Sequence, residues 1–315
     1  MSGLRIGTRG SPLALWQARA VAAAVQAAGG PPCELVTIKT TGDRLATAAL
    51  ADAGGKRLFV KEIEEALLAE LVDVAVHSAK DLPGDLPDGL RIGATLPRED
   101  PRDALVLPAE HSRPSSNDPD EIIAALGLSP SLGTGSVRRI AQLSHRFPGA
   151  RFLPVRGNIG TRLRKLDAGG YDLLVLASAG LVRLDLSERI SARLAFDACL
   201  PAPGQGIVAI ESRTCDDSTA RILAGVNDAQ TLTALEAERA LIATFGGNCR
   251  VPVGGMAVLD GTELQLDAIV AAPDGSRILR WTARGPATAA AALGQSAARA
   301  LIANGADEIL ATLRE

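Results

Sequence analysis

Aromatic side chains are scarce in this sequence: five Phe, two Trp and one Tyr amount to 3% of 315 residues. That leaves little material for the stacking platforms on which single-stranded nucleic acids are held. Charge argues the same way, because 33 Lys and Arg against 36 Asp and Glu sum to −3, and a broadly basic face is not expected. Histidine and cysteine are also few. His77, His111 and His145, with Cys33, Cys199, Cys215 and Cys249, are scattered and show no C-x-x-C spacing, so no zinc site is expected. No segment offers the roughly 20 apolar residues of a membrane span, and Leu173 to Val182 is too short. Met1-Ser2-Gly3-Leu4-Arg5-Ile6 has no apolar core of signal-peptide length. A cytoplasmic protein with free thiols is the expectation, with neither nucleic acid nor membrane as a partner. Walker-type phosphate loops and Rossmann glycine fingerprints are absent too.

What remains is ordinary globular composition, 47% hydrophobic and 22% charged, in a chain long enough for two or three domains. The first two-thirds alternates short apolar runs with amphipathic segments, the pattern of a sheet fed by crossover helices. Leu4 to Thr8 reads as a strand, and Ser11 with Pro12 as the cap and first residue of a helix reaching about Ala28. Glu34 to Thr40 reads as a strand. Ile63, Leu67 and Leu71 share one helical face, Val72 to Val76 is a buried strand, and Leu82 to Pro87 a loop. Near Glu99 to Arg102 a second series begins with Ala104 to Leu107, and His111 to Asp120 reads as a surface loop. Leu132 to Gly135 leads into a helix with Ile140, Leu143 and Phe147 inward. Phe152 to Val155 leads into another, capped by Asn158, with Ile159, Leu163 and Leu166 inward; Asp172 to Ala177 is a strand. The segment 200–206 is a hinge, and Ile207 to Glu211 returns toward the first domain. A helix near Thr231 to Thr244, three strands (253–259, 263–271 and 278–283) and two closing helices form a separate α+β unit. No internal repeat is strong enough to assert.

Several arginines occupy electrically awkward places. Arg138 and Arg139 fall in the first turn of a helix, and Arg162 near the start of the next. Exposed cations there oppose the helix dipole at a cost on the order of 0.3–1 kcal/mol each. A bound anion reverses the sign, since helix N-termini and guanidinium forks both favour carboxylates and phosphates. Arg9 and Arg156 end strands, and Arg183 follows another, at the edge where open α/β sheets bind ligands. Solvated arginines are the bland alternative for any one of them. Lys80 and Asp81 follow the apolar strand in Val74-Ala75-Val76-His77-Ser78-Ala79-Lys80-Asp81. An ionised carboxylate beside cations stabilises a developing cation or relays a proton; a surface Lys–Asp pair is the other reading. His77 reads as structural. Cys249, in Phe245-Gly246-Gly247-Asn248-Cys249-Arg250, reads alone as a buried inert thiol or as a thiolate favoured by Arg250.

Taken in order, a set of segments resembles the porphobilinogen deaminase (hydroxymethylbilane synthase) family along nearly the whole chain. They are 8–18, Gly54-Gly55-Lys56 with Leu58-Phe59-Val60-Lys61-Glu62, Val76 to Pro83, Arg98-Glu99-Asp100-Pro101-Arg102-Asp103-Ala104, Arg156-Gly157-Asn158-Ile159-Gly160-Thr161-Arg162-Leu163, Leu200 to Gly206, and the loop around Cys249. The resemblance implies two hinged, doubly wound α/β domains of periplasmic-binding-protein type and a smaller C-terminal α+β domain. Residues 1–99 with 207–226 would form the first, 100–206 the second and 227–315 the third. It also implies a dipyrromethane cofactor joined by thioether to Cys249, a substrate, porphobilinogen, polymerised with loss of ammonia into hydroxymethylbilane, and a monomeric enzyme. Asp81 would be catalytic. Lys80, Ser11, Thr134, Ser136, Arg138, Arg139, Arg162 and Arg183 would hold the cofactor, and Arg9, Arg156, Gln205, Phe59 and Lys56 the substrate. Gly135 and Arg57 depart from the family's pattern, which bears on loop mobility and fine affinity. A non-enzymatic solute-binding module and a nucleotide-dependent transferase are the competing readings. The first leaves Cys249 and the third domain unexplained; the second lacks a phosphate loop.

Overall fold

The computed structural model describes residues 3–44, 58–111, 116–246 and 251–311. The chain opens with β1 (Leu4–Thr8), α1 (Pro12–Ala27), β2 (Cys33–Thr37), α2 (Thr41–Arg44), α3 (Lys61–Leu68), β3 (Val74–Ser78) and β4 (Leu90–Thr95). A second group follows: β5 (Asp103–Val106), α4 (Pro119–Ala125), β6 (Ser131–Gly133), α5 (Val137–Arg146), β7 (Arg151–Leu153), α6 (Ile159–Lys165), β8 (Leu173–Ala177), α7 (Ser178–Arg183) and β9 (Ala192–Arg193). The chain then returns through β10 (Val208–Arg213) and α8 (Asp217–Ala224). It ends with α9 (Ala229–Thr244), β11 (Val253–Asp260), β12 (Glu263–Ala271), β13 (Ile278–Pro286), α10 (Ala290–Ala303) and α11 (Ala306–Ala311).

Two five-stranded sheets share one plan, with orders β2-β1-β3-β10-β4 and β7-β6-β8-β5-β9. In each, three parallel strands are followed by an antiparallel one, β10 beside β3 and β5 beside β8. Each antiparallel strand is reached across the junction between the sheets, so the chain passes that junction twice. No sequence repeat announces the shared plan. The third sheet is the antiparallel meander β11-β12-β13, covered by α9 and α10.

Local chemistry places the helices. The Ser11 hydroxyl accepts from Ala14 N and Pro12 opens α1; Asn158 Oδ1 accepts from Thr161 N at the start of α6. On α3, Ile63 and Leu67 are fully buried, each contributing about 1.5–3 kcal/mol of apolar burial. Leu71 departs from its expected place: the helix ends at Leu68 and Leu71 is 63% exposed. The strands shift as well. β2 stops at Thr37, short of Thr40, and β3 covers Val74–Ser78, two residues later than the apolar run suggests. The strand β4 and the helices α4 and α8 have no counterpart in the sequence reading. β4 carries a mid-strand glycine, Gly93, close against Leu223 of α8, which hides its strand pattern. The proline-rich segment turns helical at Pro119, capped by Asp118.

One buried carboxylate ties the three sheets together. Glu238 of α9 accepts from Arg98 Nη1 (2.6 Å), from Gly204 N (2.6 Å) and from Ala257 N (2.8 Å). Arg98 and Gly204 lie on the two crossing segments and Ala257 on β11. Gly206, beside Gly204, has φ +86 and lies so near Glu99 that a Cβ would stand 2.3 Å from its carbonyl oxygen. Only glycine meets both demands there. Removing one partner of such a pair leaves a buried charge uncompensated, so Glu238→Ala is expected to cost about 3–5 kcal/mol. Urea unfolding checks this: the midpoint should fall sharply, and an unmoved midpoint would show the three sheets are joined by other means.

Candidate active site

The ends of β1 and β3 meet at a cleft lined by Arg9, Ser11, Leu13, Gln17, Phe59, Ser78 and Asp81, among others. Arg9 follows β1; its guanidinium is paired with Asp43 and lies over the Phe59 ring, 4.2 Å from Cζ to centroid. Ser11 is on the same wall, its hydroxyl turned to capping α1. Gln17 bridges from α1 to Ser78 at the end of β3 (2.9 Å). After Ser78 the backbone tightens into one 3-10 turn, 79–81, which presents Asp81 to solvent. Among the described residues, Asp81 accepts no hydrogen bond from its own chain.

Cations surround it. Lys80 Nζ donates to Gln205 Oε1 (3.2 Å). Burial pushes the Lys80 ammonium down to about 8; Arg139 and Arg138 lower it further, while Asp81 and Asp103 pull the other way. Arg162 of α6 donates to the Gly157 carbonyl (2.8 Å), forms no ion pair among the described residues, and feels the field of Asp81. Burial, then Arg139, lowers its guanidinium. Arg183 of α7 donates to Gly206 O (2.7 Å), and burial pushes it down to about 10 against a weak opposing pull from Glu99.

Arg138 and Arg139 do lie in the first turn of α5, but the anion that accepts them is part of the chain. Asp103, at the start of β5, bridges Arg138 Nη2 and Arg139 Nη2, each at 2.8 Å. Burial by itself would raise the Asp103 carboxyl; the two guanidiniums hold it well below the usual carboxylate range. Arg138 also donates to Leu200 O (2.6 Å) and Arg139 to Val175 O (2.9 Å). Gln205, expected at the substrate, is buried, with its Nε2 donating to Pro101 O and Asp103 and its Oε1 accepting from Lys80. Thr134 is buried, its hydroxyl accepting from Ser136 N (3.3 Å), and Ser136 caps α5 through Arg139 N. Arg156 stands exposed on the turn before α6. Cys249 and Lys56 lie outside the described residues.

His77 is buried with Nε2 3.1 Å from Glu211 Oε2. The Cys199 thiol is pushed up to about 12 by burial and then by Asp103, so it is inert. Sequence reasoning assigned no part to Asp103, Asp43 or Trp16. The signals for Asp103 were an acid heading the wholly apolar run Ala104 to Leu107 and its place in the segment Arg98 to Ala104. No cluster that would hold a metal ion occurs among the described residues. Arg138 Nε and Ser178 Oγ are buried there without a hydrogen-bond partner.

These features define a class: a protein of two α/β units sharing one sheet plan, with Asp81 and several cations at their strand ends, and a third α+β unit. Residues 4–221 match the family model "Porphobilinogen deaminase, dipyromethane cofactor binding domain", and residues 232–303 match its C-terminal domain. A porphobilinogen deaminase of Acidithiobacillus ferrooxidans is 47% identical over 99% of this chain and 98% of its own length. One from Syntrophotalea carbinolica is 45% identical over 99% of this chain and 96% of its own, and one from Bordetella parapertussis 47% over 98% and 96%. The chain belongs to the porphobilinogen deaminase family. Among solved structures, the second substrate-binding domain of a putative amino acid ABC transporter from Streptococcus pneumoniae has a TM-score of 0.45. It is 9% identical, over 71% of this chain and 92% of its own.

The state of Lys80 has a measurable consequence. A lysine whose folded pKa is lowered destabilises the fold wherever its ammonium is forced on, fully below about 8, and the deficit fades as pH rises toward 10.5. Lys80→Met in the cofactor-free protein should therefore raise Tm at pH 7 and lose most of that gain by pH 10. Thermal melts across this range test it, and a gain independent of pH would show that packing alone is responsible.

Proposed function

We propose that this chain polymerises four molecules of porphobilinogen, releasing four of ammonia, on a dipyrromethane primer held at Cys249, and that water then cleaves the product from the primer as the linear tetrapyrrole hydroxymethylbilane. The observation that carries this reading is Asp81: an unbonded carboxylate at a strand end, with Lys80, Arg9 and Arg162 around it. Pyrrole substrates bring what this arrangement accepts, namely carboxylates for the cations and ring N–H groups for Asp81.

The residues present fit the dipyrromethane. Arg138 Nε and Ser178 Oγ offer buried donors without partners, and Lys80 and Arg162 are half-buried cations that form no ion pair among the described residues. Lys80, Ser11, Thr134, Ser136, Arg138, Arg139 and Arg162 would hold it; Arg183, expected with them, is turned to Gly206 O and the Trp16 ring and would take carboxylates added later. When bound, the group supplies a nucleophilic pyrrole α-carbon. The mainly internal bonding of Thr134 and Ser136 supports a supporting part for these two, with contact left to the cations. Arg9, Arg156, Phe59 and Lys56 would receive the incoming substrate, and Gln205 would act behind them through Lys80.

Asp81 performs two tasks. As ammonia leaves the aminomethyl carbon of porphobilinogen, positive charge spreads onto the pyrrole nitrogen, where a fixed carboxylate stabilises it. After the new carbon–carbon bond forms, a proton must leave the ring, and Asp81 accepts or relays it. The cations hold the carboxylates, two per added ring, so that each round meets the same carboxylate. The hinge at 200–206 lets the cleft adjust as the chain lengthens. The partition of strands among three sheets supports domains at 1–99 with 207–226, 100–206 and 227–315. No helix among the described residues is long and apolar enough to cross a membrane, and we place the enzyme in the cytoplasm as a monomer.

Intact-mass measurement of the purified protein tests the primer: an adduct reactive toward an Ehrlich-type pyrrole reagent should be present, and absent from Cys249→Ser. An unmodified, folded wild type that turns over no porphobilinogen under cofactor-restoring conditions would overturn the reading. Asp81→Asn should fold and keep its adduct yet lose about 10²-fold or more of turnover, measured as porphobilinogen consumption. Near-normal turnover would remove Asp81 from the mechanism.

A further inference from the structure

Arg183 is the most buried of the site cations that form no ion pair among the described residues. It is 6% exposed on α7 and forms no ion pair among the described residues. Beyond the Gly206 carbonyl, what covers it is an aromatic ring: its Cζ lies over the Trp16 indole, 5.5 Å from the centroid. Trp16 stands on α1 against the first sheet and Arg183 on α7 beside the second, so the contact crosses the cleft. The same two helices approach elsewhere along α7, where a Cβ built on Gly180 would lie 3.7 Å from Leu13 Cδ2. Trp16 is itself 37% exposed.

An indole face attracts a guanidinium through its quadrupole but does not neutralise it. A carboxylate does both, with shorter, charge-assisted hydrogen bonds. The stack is therefore a contact that a carboxylate can replace, at a place where each added pyrrole brings two. We propose that Trp16 is a positioning residue: its indole holds the Arg183 guanidinium across the cleft until a carboxylate of the lengthening chain reaches it, and then releases it. This rests on the function proposed above and adds a part played by a residue that need not touch the reacting atoms.

The two tryptophans of the chain make the exchange visible. Trp281 lies on β13 of the third sheet, 41% exposed, so the Trp281→Phe holoprotein leaves Trp16 as the single reporter. On addition of limiting porphobilinogen its emission should move to longer wavelength as the stack opens, in step with covalent intermediates separated by ion exchange. Emission that stays fixed while those intermediates form overturns the proposal and leaves the function standing. In a second measurement, Trp16→Leu removes a contact that the bound state gives up, so KM for porphobilinogen should fall about 2- to 30-fold with a smaller change in kcat, and Trp16→Phe should restore most of the wild-type value. A KM equal to or above wild type in Trp16→Leu, or a loss confined to kcat, overturns it as well. Absence of any turnover in the wild-type protein would sink the functional reading itself, so the two failures are distinguishable.

Discussion

A single carboxylate, Asp103, keeps two guanidiniums inside this protein at the worst end of a helix. Arg138 and Arg139 begin α5, where the dipole opposes them, and both are buried. Taking an ion out of water costs several kcal/mol even after relaxation. Here each guanidinium meets Asp103 at 2.8 Å and a backbone carbonyl besides. The arrangement reaches further than its own domain. Gln205 bonds Asp103 with one end of its amide and Lys80 with the other, so the arginine pair of the second sheet is linked to the turn that carries Asp81 on the first. Among the cleft's cations, Lys80 is thereby held through an amide that Asp103 itself positions.

The shared strand order of the first two sheets explains why the site can be assembled from both. β3 and β8 occupy equivalent positions, each running into a short helical turn through a serine, Ser78 or Ser178. The first turn presents Lys80 and Asp81; the second carries Arg183. The candidate site groups thus lie at corresponding strand ends, the place where open α/β sheets bind ligands. Glu238 then fixes the third unit to the crossing segments, and Leu235 of the same helix packs in one cluster with Ala79 and with Ala209 of β10.

Much of the frame was legible locally. Ser11 and Pro12, and Asn158 before Ile159, mark helix starts because a cap needs only its nearest neighbours. The three strands of the meander are separated by turn residues and come out close to their expected limits. β4 escaped notice because Gly93 interrupts its pattern to admit Leu223, a contact 130 positions away along the chain (223 against 93). Leu71 continued a helical period that the chain had already left. The arginines show the same division in the site. Their unfavourable positions were readable, and a bound anion was the expectation; for Arg138 and Arg139 the structure supplies a carboxylate of the chain itself, Asp103, 36 positions before Arg139.

Scarce aromatics, a balanced charge sum and the spaced arginines are properties of the chain alone. They set the expectations of no nucleic-acid surface and of carboxylates as ligands, and the ordered motifs carried the family. Tertiary structure decided which charges are spoken for. Arg9 is paired with Asp43, Arg138 and Arg139 with Asp103, and Gln205 is enclosed, whereas Asp81, Lys80 and Arg162 remain available to ligand. The reason is physical: electrostatic and hydrogen-bonding partners are chosen by distance and burial in space, and neither can be read from separation along the chain.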